Sequence, residues 1–185
     1  QAYFNMKTGK SLPDLISAEF GAPPLVNELL TGGQAQAAMN FWHFNVRAQL
    51  AGMEQVLSVK DMLAELGVSK QPPLLGWVFS EKVAKNKKEE IKRFMDASFA
   101  TKDLLLTDDA IWDKIRPTMR GAEEDDALFM ALRDAYRAGI VTSFAEADVQ
   151  AATETFALLA KYGGTEAIGD KPDLAEGTFW AGYSK

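Results

Sequence analysis

The chain has 185 residues, 47% hydrophobic and 25% charged, enough apolar material for one large domain or two small ones. Its formal charge is −6, and its densest lysine run, 82–92, is interleaved with glutamate, which argues against the concentrated positive field of a nucleic-acid surface. It has no cysteine and one histidine, His43, which excludes disulfides, thiolate nucleophiles, cysteine-ligated metals and multi-histidine metal sites.

Taken in chain order, residues 2–10 read as a helix, with Tyr3, Phe4 and Met6 beside Lys7 and Lys10 and with Gly9 as its stop. Residues 14–22 alternate, Ile16, Ala18 and Phe20 against Ser17 and Glu19, which predicts a short strand ending at Gly21. Pro23 and Pro24 open a helix to Leu30, since a missing N–H is harmless in a first turn, and Gly32-Gly33 stop it. Ala35, Ala37, Met39 and Phe41 alternate with Gln34, Gln36 and Asn40, predicting a second strand that ends at Trp42-His43. A helix over 44–50, a third strand over 54–59 and a short helix over 61–67 complete a βαβαβ rhythm, which predicts a mostly parallel sheet under helices.

A polar, proline-bearing connector, 69–73, marks a change of composition. One apolar strand follows, 74–79, and then the chain turns helical. Ser80 caps a long helix over 82–106, with Ile91, Phe94, Met95 and Phe99 at core spacing. Asp108 or Asp109 opens a helix through Ile111, Trp112 and Ile115 that Pro117 ends. Another runs over 123–138, with Leu128, Leu132, Ala135 and Tyr136 inward. Ser143 and Glu146 have capping-box spacing and open a helix to Tyr162 that Gly163-Gly164 stop. The tail, 168–185, reads as loop whose Phe179, Trp180 and Tyr183 pack back on the fold. No apolar run has the length of a bilayer span, and the opening QAYFNMKTGK lacks the basic start and apolar core of a signal peptide. The chain is therefore expected to begin after processing or inside a longer protein.

In an open α/β sheet, ligands bind beyond the carboxyl ends of strands and near helix N-termini, and 21–45 supplies two such places. Gly21, Ala22 and Pro23 can aim backbone N–H groups and a positive helix end at an anionic head group, although each proline deletes a donor. A plain β-to-α turn fits the same residues. Trp42 offers a flat apolar wall, and His43 a hydrogen bond that switches near neutral pH. The alternative for that pair is a core tryptophan beside a capping histidine. Asn45 either bonds a ligand at the same rim or caps its helix. Asn40 faces cleft or solvent, and Trp77 reads as a hinge, cleft or core residue. The acidic run 123–126 reads as a solvated helix start, with a metal site as the alternative.

The segments GAPPLVNELLTGGQAQAAMNFWHF, AGMEQVLSV, LLGWVFSEKVAKN, RDAYRAGI and EGTFWAG, in this order and spacing, resemble the solute-binding proteins of ABC importers of the nitrate/sulfonate/taurine type over nearly the whole chain. The resemblance implies the α/β, two-lobe fold of type II periplasmic binding proteins, incomplete here and with a helix-rich C-terminal part. Residues 1–72 would form the second α/β lobe without its start. Residues 73–185 would form the return strand and the C-terminal helical layer of the first lobe. The implied function is that of a substrate-binding component, periplasmic or extracellular and membrane-associated, which captures a small organic molecule or anion in an interlobe cleft. The expected ligand-binding residues are Gly21, Ala22, Pro23, Asn40, Trp42, His43, Asn45 and Trp77, with no catalytic residue, metal or cofactor. The expected partners are the ligand, the ABC permease, and a missing N-terminal segment or another chain that completes the fold. Two other readings stand beside this one. One is an enzyme on the same fold similar to the thiamine pyrimidine synthase, which depends on a cysteine-rich motif and histidines, against no Cys and one His here. The other is a lobe fragment that acts only as an assembly partner.

Overall fold

The computed structural model describes the backbone of residues 1–185 and all side chains except those of Gly164, Glu166 and Ala167. It overturns the expected α/β two-lobe fold: among the described residues all regular structure is helical and there is no strand. The α-helices are α1 (Ala2–Thr8), α2 (Pro23–Thr31), α3 (Trp42–Leu50), α4 (Val59–Glu65), α5 (Glu81–Asn86), α6 (Lys88–Thr107), α7 (Asp109–Ile115), α8 (Asp126–Ala138) and α9 (Glu146–Ile168). Single 3-10 turns lie at Leu12–Asp14 and Arg116–Thr118.

The segments expected as strands, 14–22, 35–41, 54–59 and 74–79, form no ladder. A strand exists through hydrogen bonds to a neighbour, and pattern alone supplies none. The ends of these segments go to helices instead: Asp14 closes a 3-10 turn, Phe41 caps α3, and Val59 opens α4. Phe20, Val56, Leu75 and Val78 are left more than nine-tenths exposed.

The chain divides into two units, one of residues 1–18, 57–98 and 141–185, the other of residues 19–56 and 99–140. The expected boundary at 72/73 lies inside the first of these.

In the first unit, α1 packs on α4 and α9. The Tyr3 hydroxyl donates to the Glu65 carboxylate at 3.3 Å, and the Lys7 ammonium pairs with the same group. Gly9, at φ +69°, ends α1 in the left-handed conformation that glycine alone adopts without cost. Ser80 accepts the Val83 N–H and starts α5, but Lys87 leaves helical geometry (φ −132°, ψ 38°), so the long helix expected over 82–106 is two helices, α5 and α6. The connector is pinned to α9. Glu154 accepts both the N–H and the hydroxyl of Ser69 at 2.8 Å, and Lys70 Nζ lies 2.6 Å from Asp148 Oδ1.

The expected capping box at Ser143 and Glu146 does not form. The N-cap of α9 is Ala145, which has no side-chain acceptor, and Asp148 reaches back to take the Ala145 N–H at 2.9 Å. Helix α9 also continues through the Gly163-Gly164 expected to stop it and ends at Gly169, φ +73°. Glycine weakens a helix interior by about 1 kcal/mol, but it ends one only where the next residues leave helical geometry. The tail does pack back. Phe144 and Lys185 exchange both backbone hydrogen bonds, at 3.0 and 2.9 Å, the Tyr183 hydroxyl donates to Asp96 at 2.7 Å, and Trp180 meets Phe79 edge-on at 5.4 Å. The Trp180 indole folds over Gly182 so closely that a Cβ there would stand 2.1 Å from the ring.

The second unit holds the larger core. Val46 of α3, Trp112 of α7, Ala122, and Leu128, Phe129 and Leu132 of α8 bury one another. Each fully buried large side chain of this kind contributes about 1.5–3 kcal/mol. Helix α8 starts at Asp126 rather than 123, because the Asp125 carboxylate accepts the Leu128 N–H at 3.0 Å and so sets the N-cap. The Leu105 carbonyl at the end of α6 accepts from Trp112 Nε1 at 2.7 Å and from Arg137 Nε at 2.9 Å. Arg116 lies over the Phe129 ring at 4.6 Å and pairs with Asp126 at 2.7 Å.

Candidate functional site

Most of the expected site residues fall in the second unit, at the N-termini of α2 and α3. Pro23 and Pro24 are the first two residues of α2, so neither gives an N–H, and the N-cap, Ala22, has no side-chain acceptor. The positive end of α2 is thus short of donors, and Gly21 and Ala22 lie exposed before it.

Asn40 is the organising residue. Its side-chain Nδ2 donates to the Pro23 carbonyl at 2.9 Å, and its Oδ1 accepts the Phe41 N–H at 2.9 Å. Asn45 Nδ2 then donates to the Asn40 carbonyl at 3.2 Å. Three expected site residues are joined this way across 22 positions of sequence, and the starts of α2 and α3 are clamped together. The amide of Asn40 is spent on the backbone in the process, so its role is to position its neighbours.

Trp42 and His43 do not end a strand; they are the first two residues of α3, with Phe41 as N-cap. They sit in a run of aromatic rings. His43 is stacked on Phe41 (centroids 6.2 Å apart, planes 3° apart), meets Trp42 edge-on at 5.4 Å, and lies 4.5 Å from Phe44. Among the described residues, no hydrogen bond is made to the His43 ring. Trp42 is 45% exposed, and its inner edge meets Tyr136 at 5.7 Å, which in turn meets Trp112 at 5.5 Å. One side of Trp42 is therefore braced by the core while the other faces solvent, which suits an aromatic wall.

Trp77 belongs to the first unit. Its Nε1 donates to Ser98 Oγ at 3.2 Å, its ring meets Phe94 edge-on at 4.9 Å, and it lines an apolar groove of about 280 Å³ beside α5 and α6.

Two features of the second unit escape a reading of the sequence. Tyr136 is the brace of Trp42; its position follows from the spacing of Leu128, Leu132 and Tyr136 on α8, but its partner does not. Arg47 of α3 donates to the Arg120 carbonyl and lines a shallow groove of about 320 Å³ with Leu50, Ala51, Asp125 and Leu128. Nearby, Asp109 draws in two guanidinium groups, Arg137 at 2.8 Å and Arg133 at 3.6 Å. The Arg137 contact is ionic and lacks hydrogen-bond geometry. The hydrogen bond to the Asp134 carboxylate, opposed by burial and helped by the charges of Asp134, Asp109 and Asp113, raises the Arg133 pKa above its ordinary value.

Of the acidic run 123–126, Asp125 is the cap of α8 and Asp126 the partner of Arg116. Among the described residues, no group of three His, Cys, Asp or Glu side chains is placed to hold a metal ion. No helix among them is long and apolar enough to cross a membrane.

What the fold and site define is a helical protein of two units, one of which presents an amide clamp and a braced aromatic wall at adjoining helix N-termini. No family model matches the sequence, and no curated protein matches it.

Proposed function

We propose that the chain is a ligand-binding component of an ABC import system, working outside the cytoplasmic membrane, which captures a small organic molecule or anion and delivers it to a membrane permease. The resemblance of its ordered segments to the nitrate/sulfonate/taurine solute-binding proteins supports the class. The observation that supports the site is the Asn40 clamp, which ties the start of α3, where Trp42 and His43 are neighbours, to the Pro23 carbonyl at the start of α2. An aromatic wall takes the apolar body of a ligand, and the His43 ring beside it takes the head group. The reading is of a binding protein rather than an enzyme, with the ligand and the permease as its partners.

Thermal denaturation of the purified chain with nitrate, taurine and longer alkanesulfonates tests this. A ligand that binds the folded state raises Tm in proportion to ln(1 + [L]/Kd). The expected result is a rise with one of these compounds. Trp42→Ala and His43→Ala each weaken binding about tenfold or more, consistent with loss of an anchor residue. A rise of the same size in both variants would remove the site, and no rise with any compound would remove the reading.

A further inference from the structure

The groove of about 280 Å³ beside α5 and α6 lies wholly within the first unit. Ile91, Phe94 and Met95 line it from one face of α6 at helical spacing, Val83 from α5, and Trp77 and Phe79 from the chain before them. Ile91 is buried, whereas Trp77 and Phe94 are 60% and 50% exposed, so aromatic rings meet water around a concave surface. The Trp77 ring is held by its hydrogen bond to Ser98 and its edge-on contact with Phe94. Small-molecule sites begin at about 300 Å³, so a groove of this size suits one small molecule rather than a peptide.

Two charged residues join this apolar lining, Lys87 and Glu90. They stand three positions apart, a spacing at which Lys and Glu pair on a helix. Their neighbours do pair: Glu81 with Lys85 at 2.9 Å, and Glu89 with Lys92 at 3.2 Å. Lys87, however, lies between α5 and α6 with its backbone outside helical geometry, so it is not held in the relation that joins Glu89 to Lys92. Among the described residues, neither Lys87 nor Glu90 makes an ion pair or a side-chain hydrogen bond. The groove therefore carries one unpaired cation and one unpaired anion beside its aromatic wall.

We infer that this groove binds a free α-amino acid with a large apolar side chain, of which phenylalanine is the type. Its ring packs among Trp77, Phe79 and Phe94, its carboxylate accepts from the Lys87 ammonium, and its own ammonium donates to the Glu90 carboxylate. The two free charges select the zwitterion. A lone carboxylate on an apolar body pairs with Lys87 but is brought up against Glu90, and a lone amine pairs with Glu90 but is brought up against Lys87. An uncharged ligand uses neither group. A head group that carries both charges on one carbon satisfies both residues, while the apolar side chain covers the rings that water now touches. The inference stands on the first unit alone and is independent of the proposed site at Trp42 and His43, which lies in the second.

Isothermal titration calorimetry on the full chain tests the inference with L-phenylalanine, 3-phenylpropionate, phenethylamine and glycine. The last three lack, in turn, the ammonium, the carboxylate and the apolar body. The expected result is saturable binding of phenylalanine, with each of the other three weaker by about tenfold or more. Lys87→Gln and Glu90→Gln change exposed side chains that hold no partner, so the fold stays in place, and each weakens phenylalanine binding by about tenfold or more. No binding of phenylalanine overturns the inference. So does a single-charge analogue that binds as tightly as phenylalanine, glycine that binds as tightly, or either variant that binds phenylalanine as the parent does.

Discussion

Asp148 is 3% exposed and carries a charge, an arrangement that is stable only when the carboxylate is fully partnered. Burial pushes its pKa up, but hydrogen bonds from Lys70 and from the Ala145 N–H, with the Lys70 charge, outweigh burial and hold it below the ordinary 3.8. Glu154 is likewise held below 4.5, first by the Ser69 N–H and then by the Ser69 hydroxyl. A carboxylate whose pKa is lower in the folded state adds stability above its unfolded pKa and loses it as pH falls through the folded one. The urea unfolding free energy is therefore expected to decline as pH drops below about 4.5, and further below about 3.8, where Asp148 joins in. Asp148→Ala removes both the ion pair and the helix start, a loss of about 2–4 kcal/mol at neutral pH. Asp148→Asn keeps an acceptor for the Ala145 N–H and loses less, while both variants flatten the acid decline. An acid limb identical to that of the parent would contradict this assignment.

The elements differ in how much of their cause is local. Helices α2, α7 and α8 stand close to where proline, aspartate caps and the 3.6-residue period put them, because their hydrogen bonds are made within four residues. Asp125 shows the scale of one such device. Asp125→Ala is expected to cost about 1 kcal/mol, and Asp125→Ser to recover most of it, measured as the shift in urea midpoint. Equal loss in both would mean that Asp125 acts through Arg47 and the neighbouring groove rather than as a cap. The alternating segments carried no such local cause. Ile16–Phe20 and Ala35–Phe41 state which side chains share a side, but a ladder also needs a neighbour, and alternation does not name one. The same limit governs the site. Trp42-His43 was legible as a junction, and Asn40 as a polar residue out of place, but the Pro23 carbonyl that Asn40 holds lies 17 residues away and leaves no mark in the spacing. Ser143 failed as a cap because the helix starts two residues later, at Ala145, whose N–H is taken by Asp148, the partner of Lys70.

For the molecule as a whole, the tail is an integral part of the first unit. Burial first, and then the hydrogen bond to the Asp96 carboxylate, push the Tyr183 pKa from 10 up to about 12. A group whose pKa is raised on folding contributes fully below its unfolded value, so this contribution fades as pH rises from 10 towards about 12. Thermal melting across that range is expected to show an alkaline decline that Tyr183→Phe flattens; an unaltered decline in Tyr183→Phe would place its origin elsewhere. The seat of the tail also has a narrow tolerance. Because the Trp180 indole occupies the space where a residue at 182 would carry its first carbon, even one methyl group there must evict the ring. The ring is the tail's hold on Phe79, the last residue of the open 74–79 run. Position 182 thus works as a keyhole cut for glycine, and bulk placed there would be felt at a segment a hundred residues earlier in the chain.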